Sequence, residues 1–283
     1  MTPLLHERSI ILADGRRIAL LDNAQQGRPL LIALHGWLDN SASFLPLAPY
    51  LDEFHLICVD LPGHGHSDHK TTPYVFVDWL DDLYQLTLAA GWQHFTLLGH
   101  SLGAYIAAAY AGVFPEQIAR LLLLEGLGPL SQPDDMWPAR LRQEILQRCA
   151  PMAWADAGFA SVAEAVKVRC MMTKMKSAAA RLICERQLVE RDGRWHWRSD
   201  PRLRESSSLR MSDGQVMALL QAISCPVLFM QAEQGFNTLP ALWQQRSPQF
   251  QQIERLILAG DHHFHMDNPV KTAFAIETFC GLR

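Results

Sequence analysis

Short, largely apolar runs recur along the chain at Leu30-Leu34, Leu56-Val59, Phe95-Leu98, Leu121-Leu124, Val227-Met230 and Arg255-Leu258. Runs of this length without polar alternation mark strands buried on both faces, as in a parallel sheet. Stretches of helical period separate most of them. Tyr74 to Ala90 is one, with Phe76, Leu80, Leu83 and Leu86 returning on one face and Gly91 as the stop. Ahead of these, Glu7-Leu12 and Arg17-Leu21 flank Ala13-Asp14-Gly15-Arg16, where Asp-Gly tolerates the positive φ of a tight turn. The chain is therefore expected to open on an antiparallel hairpin. Alternating strands and helices imply an α/β fold, a mostly parallel central sheet flanked by helices with right-handed crossovers.

The alternation lapses between Leu124 and Val227, a stretch rich in Arg, Met, Trp and Ala with helical pattern but no clear buried strand. The expected organisation is a core domain of residues 1–127 and 225–283 with an inserted helical cap, 128–224. Trp137, Trp154, Met171, Met172 and Met175 could line an acyl pocket, although the cap's own core is their expected place.

With 283 residues, 49% hydrophobic and 19% charged, the composition is that of a soluble globular protein with a sizeable core. The net charge of -4 is unevenly placed: residues 128–224 hold 15 Lys/Arg against 11 Asp/Glu, leaving 10 against 18 elsewhere. Such asymmetry suits an anionic substrate or an acidic carrier, but alternating charges on solvated helices give the same count and are the expected reading. Nothing in it points to nucleic acid. No apolar run approaches bilayer length, and Met1 to Arg8 lacks a basic stretch followed by an apolar one, so a cytoplasmic protein without membrane association is expected. Six scattered cysteines with no C-x-x-C pair read as reduced thiols.

The chemistry-bearing pattern is Gly99-His100-Ser101-Leu102-Gly103, a G-x-S-x-G between the Phe95-Leu98 strand and the apolar stretch Leu102 to Val113. Strand, sharp turn and helix in that order make a nucleophile elbow, with Ser101 as the nucleophile and glycines where side chains would collide with neighbouring elements. A serine hydroxyl needs a base, an orienting acid and donors for the oxyanion. His35-Gly36-Trp37 follows the Leu30-Leu34 strand, beyond the carboxyl end of the sheet where ligands of open α/β sheets bind. The Trp37 and Leu102 N–H groups are the expected oxyanion hole, and His35 is expected to hydrogen-bond its own loop. His35, Gly36, Trp37 and His100 are the expected substrate-bordering residues. Near the C-terminus, Gly260 to Pro269 supplies His262, His263 and His265 as possible bases.

In this order and across the whole chain, His35-Gly36-Trp37, Asp60-Leu61-Pro62-Gly63-His64-Gly65-His66-Ser67-Asp68, Gly99 to Gly103, and a histidine seven residues before Pro269 resemble the α/β-hydrolase superfamily, in its serine hydrolase-like branch. The resemblance implies that His262 is the general base, with His263 its rival, and that His265 packs behind it. The acid departs from the common pattern. Many relatives carry an aspartate in the loop after the strand matching Pro226 to Met230, and the matching residue here is Gly235. Glu125, 24 residues after Ser101 at the end of Leu121-Leu124, stands where some α/β-hydrolases carry theirs. A carboxylate buried there is costly unless it has a partner such as an imidazole N–H. Glu125 is the expected acid and Glu233 the alternative.

The resemblance implies hydrolysis of a small-molecule carboxylic ester or thioester through an acyl-enzyme, with no cofactor or metal. A carbon-carbon bond hydrolase on the same residues and a non-catalytic ligand-binding relative are the competing expectations. Serine at 101 argues against dehalogenase or epoxide hydrolase chemistry, which relies on a nucleophilic aspartate. One motif points elsewhere: His64-Gly65-His66-Ser67-Asp68-His69 matches the H-x-H-x-D-H signature of a dinuclear metal site. Its place inside the Pro-Gly-His-Gly-x-Ser-Asp pattern makes a polar loop, with Asp68 bonding backbone, the expected reading.

Overall fold

The structure is a computed structural model that describes residues 5–149, 157–205, 207 and 210–283. Its first half runs β1 (His6–Ile11), β2 (Arg17–Asp22), β3 (Leu30–Leu34), β4 (His55–Val59), α1 (Phe76–Ala90), β5 (Phe95–His100), α2 (Leu102–Val113) and β6 (Ile118–Leu124). There follow α3 (Trp137–Cys149), α4 (Val162–Thr173), α5 (Ser177–Gln187), β7 (Leu188–Arg191), β8 (Arg194–Trp197) and α6 (Asp213–Ala222). The chain ends on β9 (Val227–Ala232), α7 (Leu239–Arg246), β10 (Ile253–Leu258), α8 (Phe264–Asp267) and α9 (Pro269–Cys280).

Eight strands form one sheet in the order β1-β2-β4-β3-β5-β6-β9-β10. The opening hairpin is antiparallel, as is the β2–β4 pairing, and every other neighbour is parallel. The period of two along a strand explains why the central strands are apolar at most positions on both faces. Ile32 and Leu34 face a layer containing Ile106 and Tyr110 of α2, while Leu31 and Ala33 face one containing Phe44, Phe264 and Ile276. Helix α2 is buried nearly all round because its alanines let it lie close to its neighbours.

The insert after β6 is not uniform. Helix α6 packs on α2, with Val216 and Leu220 in the core beneath the sheet, so it serves as the crossover into β9. A separate apolar cluster over the sheet comes from α4, α5 and their connections, including Ala165, Ala180, Ile183 and Cys184. The insert also holds the antiparallel hairpin β7–β8, where a helical stretch without strands was expected. Its turn is Asp192-Gly193, both at positive φ, between Val189 and the alternating Trp195 and Trp197, a readable hairpin signal. Of the sulfur and aromatic residues expected in the cap core, Met175 is there, Met172 borders the cavity described below, and Met171 and Trp137 are exposed. Trp154 lies outside the described residues. Small residues on α4 and α5 pack those helices together, so the large side chains are not needed for that purpose.

Polar contacts tie the insert to the core. Trp37 Nε1–H donates to Leu203 O at 2.9 Å, Asn40 Nδ2–H donates to Ile183 O at 2.9 Å, and Arg186 reaches both Asp60 and Glu7. Among the described residues no helix is long and apolar enough to cross a membrane.

Candidate active site

The nucleophile elbow is present as a backbone feature. Ser101 sits between β5 and α2 at φ 52°, ψ -112°, a conformation an L-residue adopts only under constraint. Its N–H donates to Leu124 O at 2.8 Å, which fixes the elbow to the end of β6. A Cβ on Gly99 would overlap the Gly103 carbonyl, and one on Gly103 would overlap the Leu34 carbonyl, so both glycines are required by close backbone approach. Neither the Trp37 nor the Leu102 backbone N–H has a protein acceptor among the described residues. Trp37 borders both cavities that open on Ser101 and Leu102 borders one of them.

One residue beyond the end of β6, Glu125 is fully buried and also at positive φ. Its Oε1 accepts the Ala232 N–H at 2.7 Å and its Oε2 the Phe236 N–H at 3.2 Å. His262 Nδ1 lies 3.2 Å from the same Oε2. With a carboxylate as acceptor, the proton sits on Nδ1, which leaves Nε2 with a free lone pair. Glu233 is exposed and makes no bond to a histidine among the described residues; its Oε2 accepts from Gln234 Nε2 at 3.5 Å. No hydrogen bond joins Ser101 Oγ to the His262 ring, but both border one cavity of about 430 Å³ with Gly36, Trp37, Phe236 and His263. Nucleophile and base contacts are often loose without substrate.

Behind His262 is a buried histidine cluster. His100 Nε2–H donates to His262 O at 2.8 Å, and His263 Nε2 lies 3.1 Å from Asp39 Oδ2. Arg169, from α4, donates to Leu38 O at 2.8 Å and pairs with Asp39. Burial alone would raise the Asp39 carboxyl, but His263 and Arg169 outweigh it and hold Asp39 well below the usual carboxylate range. Burial, reinforced by His265, His262 and His263, holds His100 well below the usual imidazole value. Burial likewise pushes His265 down to about 3, and its ring lies 4.3 Å from that of His100.

Two residues expected to border substrate do not reach the cavities. His35 and His100 are fully buried, whereas Gly36 and Trp37 line cavity walls. His35 instead bonds its own loop, with Nδ1–H donating to Gly36 O at 2.7 Å and Nε2 accepting from Leu61 N–H at 3.0 Å. Asp39, Arg169 and Phe236 were not legible in the sequence, because an isolated Asp, Arg or Phe carries no spacing signal.

The H-x-H-x-D-H stretch does not converge on a point. His64 Nε2 accepts from Leu38 N–H, His66 faces Glu7, Asp68 accepts from Arg17 N–H, and His69 bonds Arg198 O. The loop is organised around buried Asp60, which accepts from Ser41 N–H at 2.7 Å and His66 N–H at 2.9 Å and pairs with Arg186. Asp39, His100 and His263 do come together closely enough to ligate a cation. Both Asp39 oxygens are already engaged by Arg169 and His263, and the guanidinium beside them opposes a second positive charge.

Comparison with known proteins agrees with this architecture. The alpha/beta hydrolase fold profile matches residues 29–269. A serine hydrolase-like protein of Danio rerio is 28% identical over 272 residues, covering 89% of this chain and 81% of that protein. A Pectobacterium atrosepticum protein named 2-succinyl-6-hydroxy-2,4-cyclohexadiene-1-carboxylate synthase is 29% identical over 267 residues, 89% of this chain and 94% of that one. The crystal structure of a hypothetical protein from Pseudomonas aeruginosa PAO1 superposes with a TM-score of 0.90 at 31% identity, covering 99% of this chain and 100% of that one. The chain belongs to the α/β-hydrolase fold family.

Proposed function

We propose that this protein hydrolyses a carboxylic ester or thioester of a small molecule, with Ser101 as nucleophile, His262 as general base and Glu125 as the acid that orients it. The observation that carries this reading is the His262 Nδ1 to Glu125 Oε2 contact of 3.2 Å beside a serine held at positive φ on the same cavity. Ser101 Oγ attacks the carbonyl carbon as its proton passes to His262 Nε2. The Trp37 and Leu102 N–H groups receive the oxyanion, a contribution of about 10²–10³ in rate for each donor in comparable sites. Collapse expels the alcohol or thiol, which takes the proton from His262. Water, deprotonated by the same nitrogen, then attacks the acyl carbon and returns Ser101.

Two cavities meet at Ser101, Trp37 and Phe236, one of about 430 Å³ and one of about 500 Å³. A scissile carbonyl at this junction has room for acyl and leaving groups on opposite sides. The Phe236 ring, 4.0 Å from the His262 ring, covers the base at the partition. Carbon-carbon bond cleavage on the same residues is the second reading. Its support is the relative named for a cyclohexadiene carboxylate, which matches nearly its whole length.

The test is intact-mass and peptide mapping after treatment with a fluorophosphonate, beside Ser101→Ala. A single adduct on Ser101, absent from the variant, is expected. A folded native protein that takes no adduct at Ser101 overturns the reading.

A further inference from the structure

The cavity on the far side of Ser101 from His263 carries charge that the catalytic reading leaves unused. Arg140 of α3 and Arg210, just before α6, both border it, among the aromatic side chains of Tyr74, Phe76, Trp79 and Tyr105. The Arg140 Nε is buried and makes no hydrogen bond. Among the described residues, neither arginine forms an ion pair with a carboxylate. The guanidinium of Arg210 is held below its usual value first by burial and then by the like charge of Arg140. Glu205 also borders this cavity, but its charge acts on Arg202, which pairs with Asp200.

Two cations sharing a half-buried, apolar-walled space repel each other and lose hydration, and an oxyanion placed between them relieves both effects. Arginine forks match a carboxylate in bidentate geometry, and the surrounding rings suit an apolar stem behind it. We infer that the substrate carries a carboxylate remote from its scissile bond, and that Arg140 and Arg210 hold it in this lobe while the ester lies at Ser101. The inference rests on the serine hydrolase reading and narrows it to acidic esters. It also gives part of the insert's excess of basic residues a use beyond solvation.

The experiment compares 4-nitrophenyl hydrogen adipate with 4-nitrophenyl methyl adipate, which differ in the remote carboxylate. The native protein is expected to favour the acid by about 10–100-fold in kcat/KM, the range for charge-assisted hydrogen bonds. That ratio should fall to near one in Arg140→Gln and Arg210→Gln, and Arg210→Lys should recover part of it. Equal turnover of the two esters by native protein overturns the carboxylate lobe and leaves the serine reading standing. Binding is read without turnover by calorimetric titration of Ser101→Ala with hexyl hydrogen adipate and hexyl methyl adipate. Preferential binding of the acid, lost in Ser101→Ala/Arg140→Gln, supports the lobe even if the nitrophenyl esters are inert. Equal binding, or none, overturns it.

Discussion

Gly235 leaves free the volume that the Glu125 carboxylate fills: a Cβ at position 235 would overlap both carboxylate oxygens. The Glu125 carboxylate therefore comes from just past the end of β6, and the last residue of β9, Ala232, and Phe236 of the following loop supply the N–H groups that receive it. Glu125→Gln should lower kcat by about 10²–10⁴, because an amide nitrogen facing His262 Nδ1 favours the wrong tautomer. Gly235→Ala should be similarly inactive, since the methyl displaces the carboxylate. Glu125→Gly/Gly235→Asp moves the acid to the other strand and should regain at least part of the activity lost in Glu125→Gly. Steady-state kinetics read all four proteins. A native kcat in Glu125→Gln, with loss in Glu233→Gln, would transfer the role to Glu233.

The elbow glycines should tolerate nothing larger. Gly99→Ala and Gly103→Ala each place a methyl into a carbonyl of a neighbouring element, so loss of soluble folded protein or a melting temperature lower by at least several degrees is expected. Gly214, at the start of α6, is the control: its added Cβ would meet only Ser212 Oγ at 3.8 Å. Gly214→Ala should melt at or above the native temperature. Native-like melting of Gly99→Ala would contradict the packing described for the elbow.

The sheet was readable because its central strands are buried on both faces and so appear as apolar runs, and Ser101 because its elbow has a fixed spacing. Glu125 was readable for a different reason: a carboxylate directly after Leu121-Leu124 needs a buried partner. His100, the last residue of β5, stands next to Ser101 in sequence but is fully buried, with its ring turned to the His262 carbonyl and away from the cavities. Asp39 and Arg169 are 130 positions apart, and only the fold, which brings α4 to the loop after β3, puts them together. The β7–β8 hairpin had a signal in Asp192-Gly193, but its four-residue strands are half exposed and lack the apolar run that revealed the others.

Arg169 and Asp39 join the insert to the loop that carries His262, so they should be energetically coupled. Removing one partner leaves the other charge buried, at a cost of about 3–5 kcal/mol. Arg169→Met and Asp39→Asn should each lower the urea midpoint, while the double variant should lose less than the sum by at least about 1 kcal/mol. Strict additivity in this double-mutant cycle would mean that the contact does not fasten the insert.

Stability should fall on mild acidification. His64 and His265 are fully buried and pushed down to about 3, and burial also lowers His35 and His100. A histidine whose folded pKa lies below its unfolded value of about 6.5 binds more protons when unfolded, so its neutral burial favours the fold above that pH and opposes it below. Asp39 has the opposite window: its lowered pKa stabilises the fold above about 4, and that contribution is lost only in stronger acid. Between pH 6.5 and 5, His64 and His265 together should remove about 3 kcal/mol. Urea midpoints at pH 7 and pH 5 measure the change, and replacing His64 or His265 by a residue that does not titrate should reduce it. Equal midpoints at the two pH values would show that these rings gain protons without opening the fold.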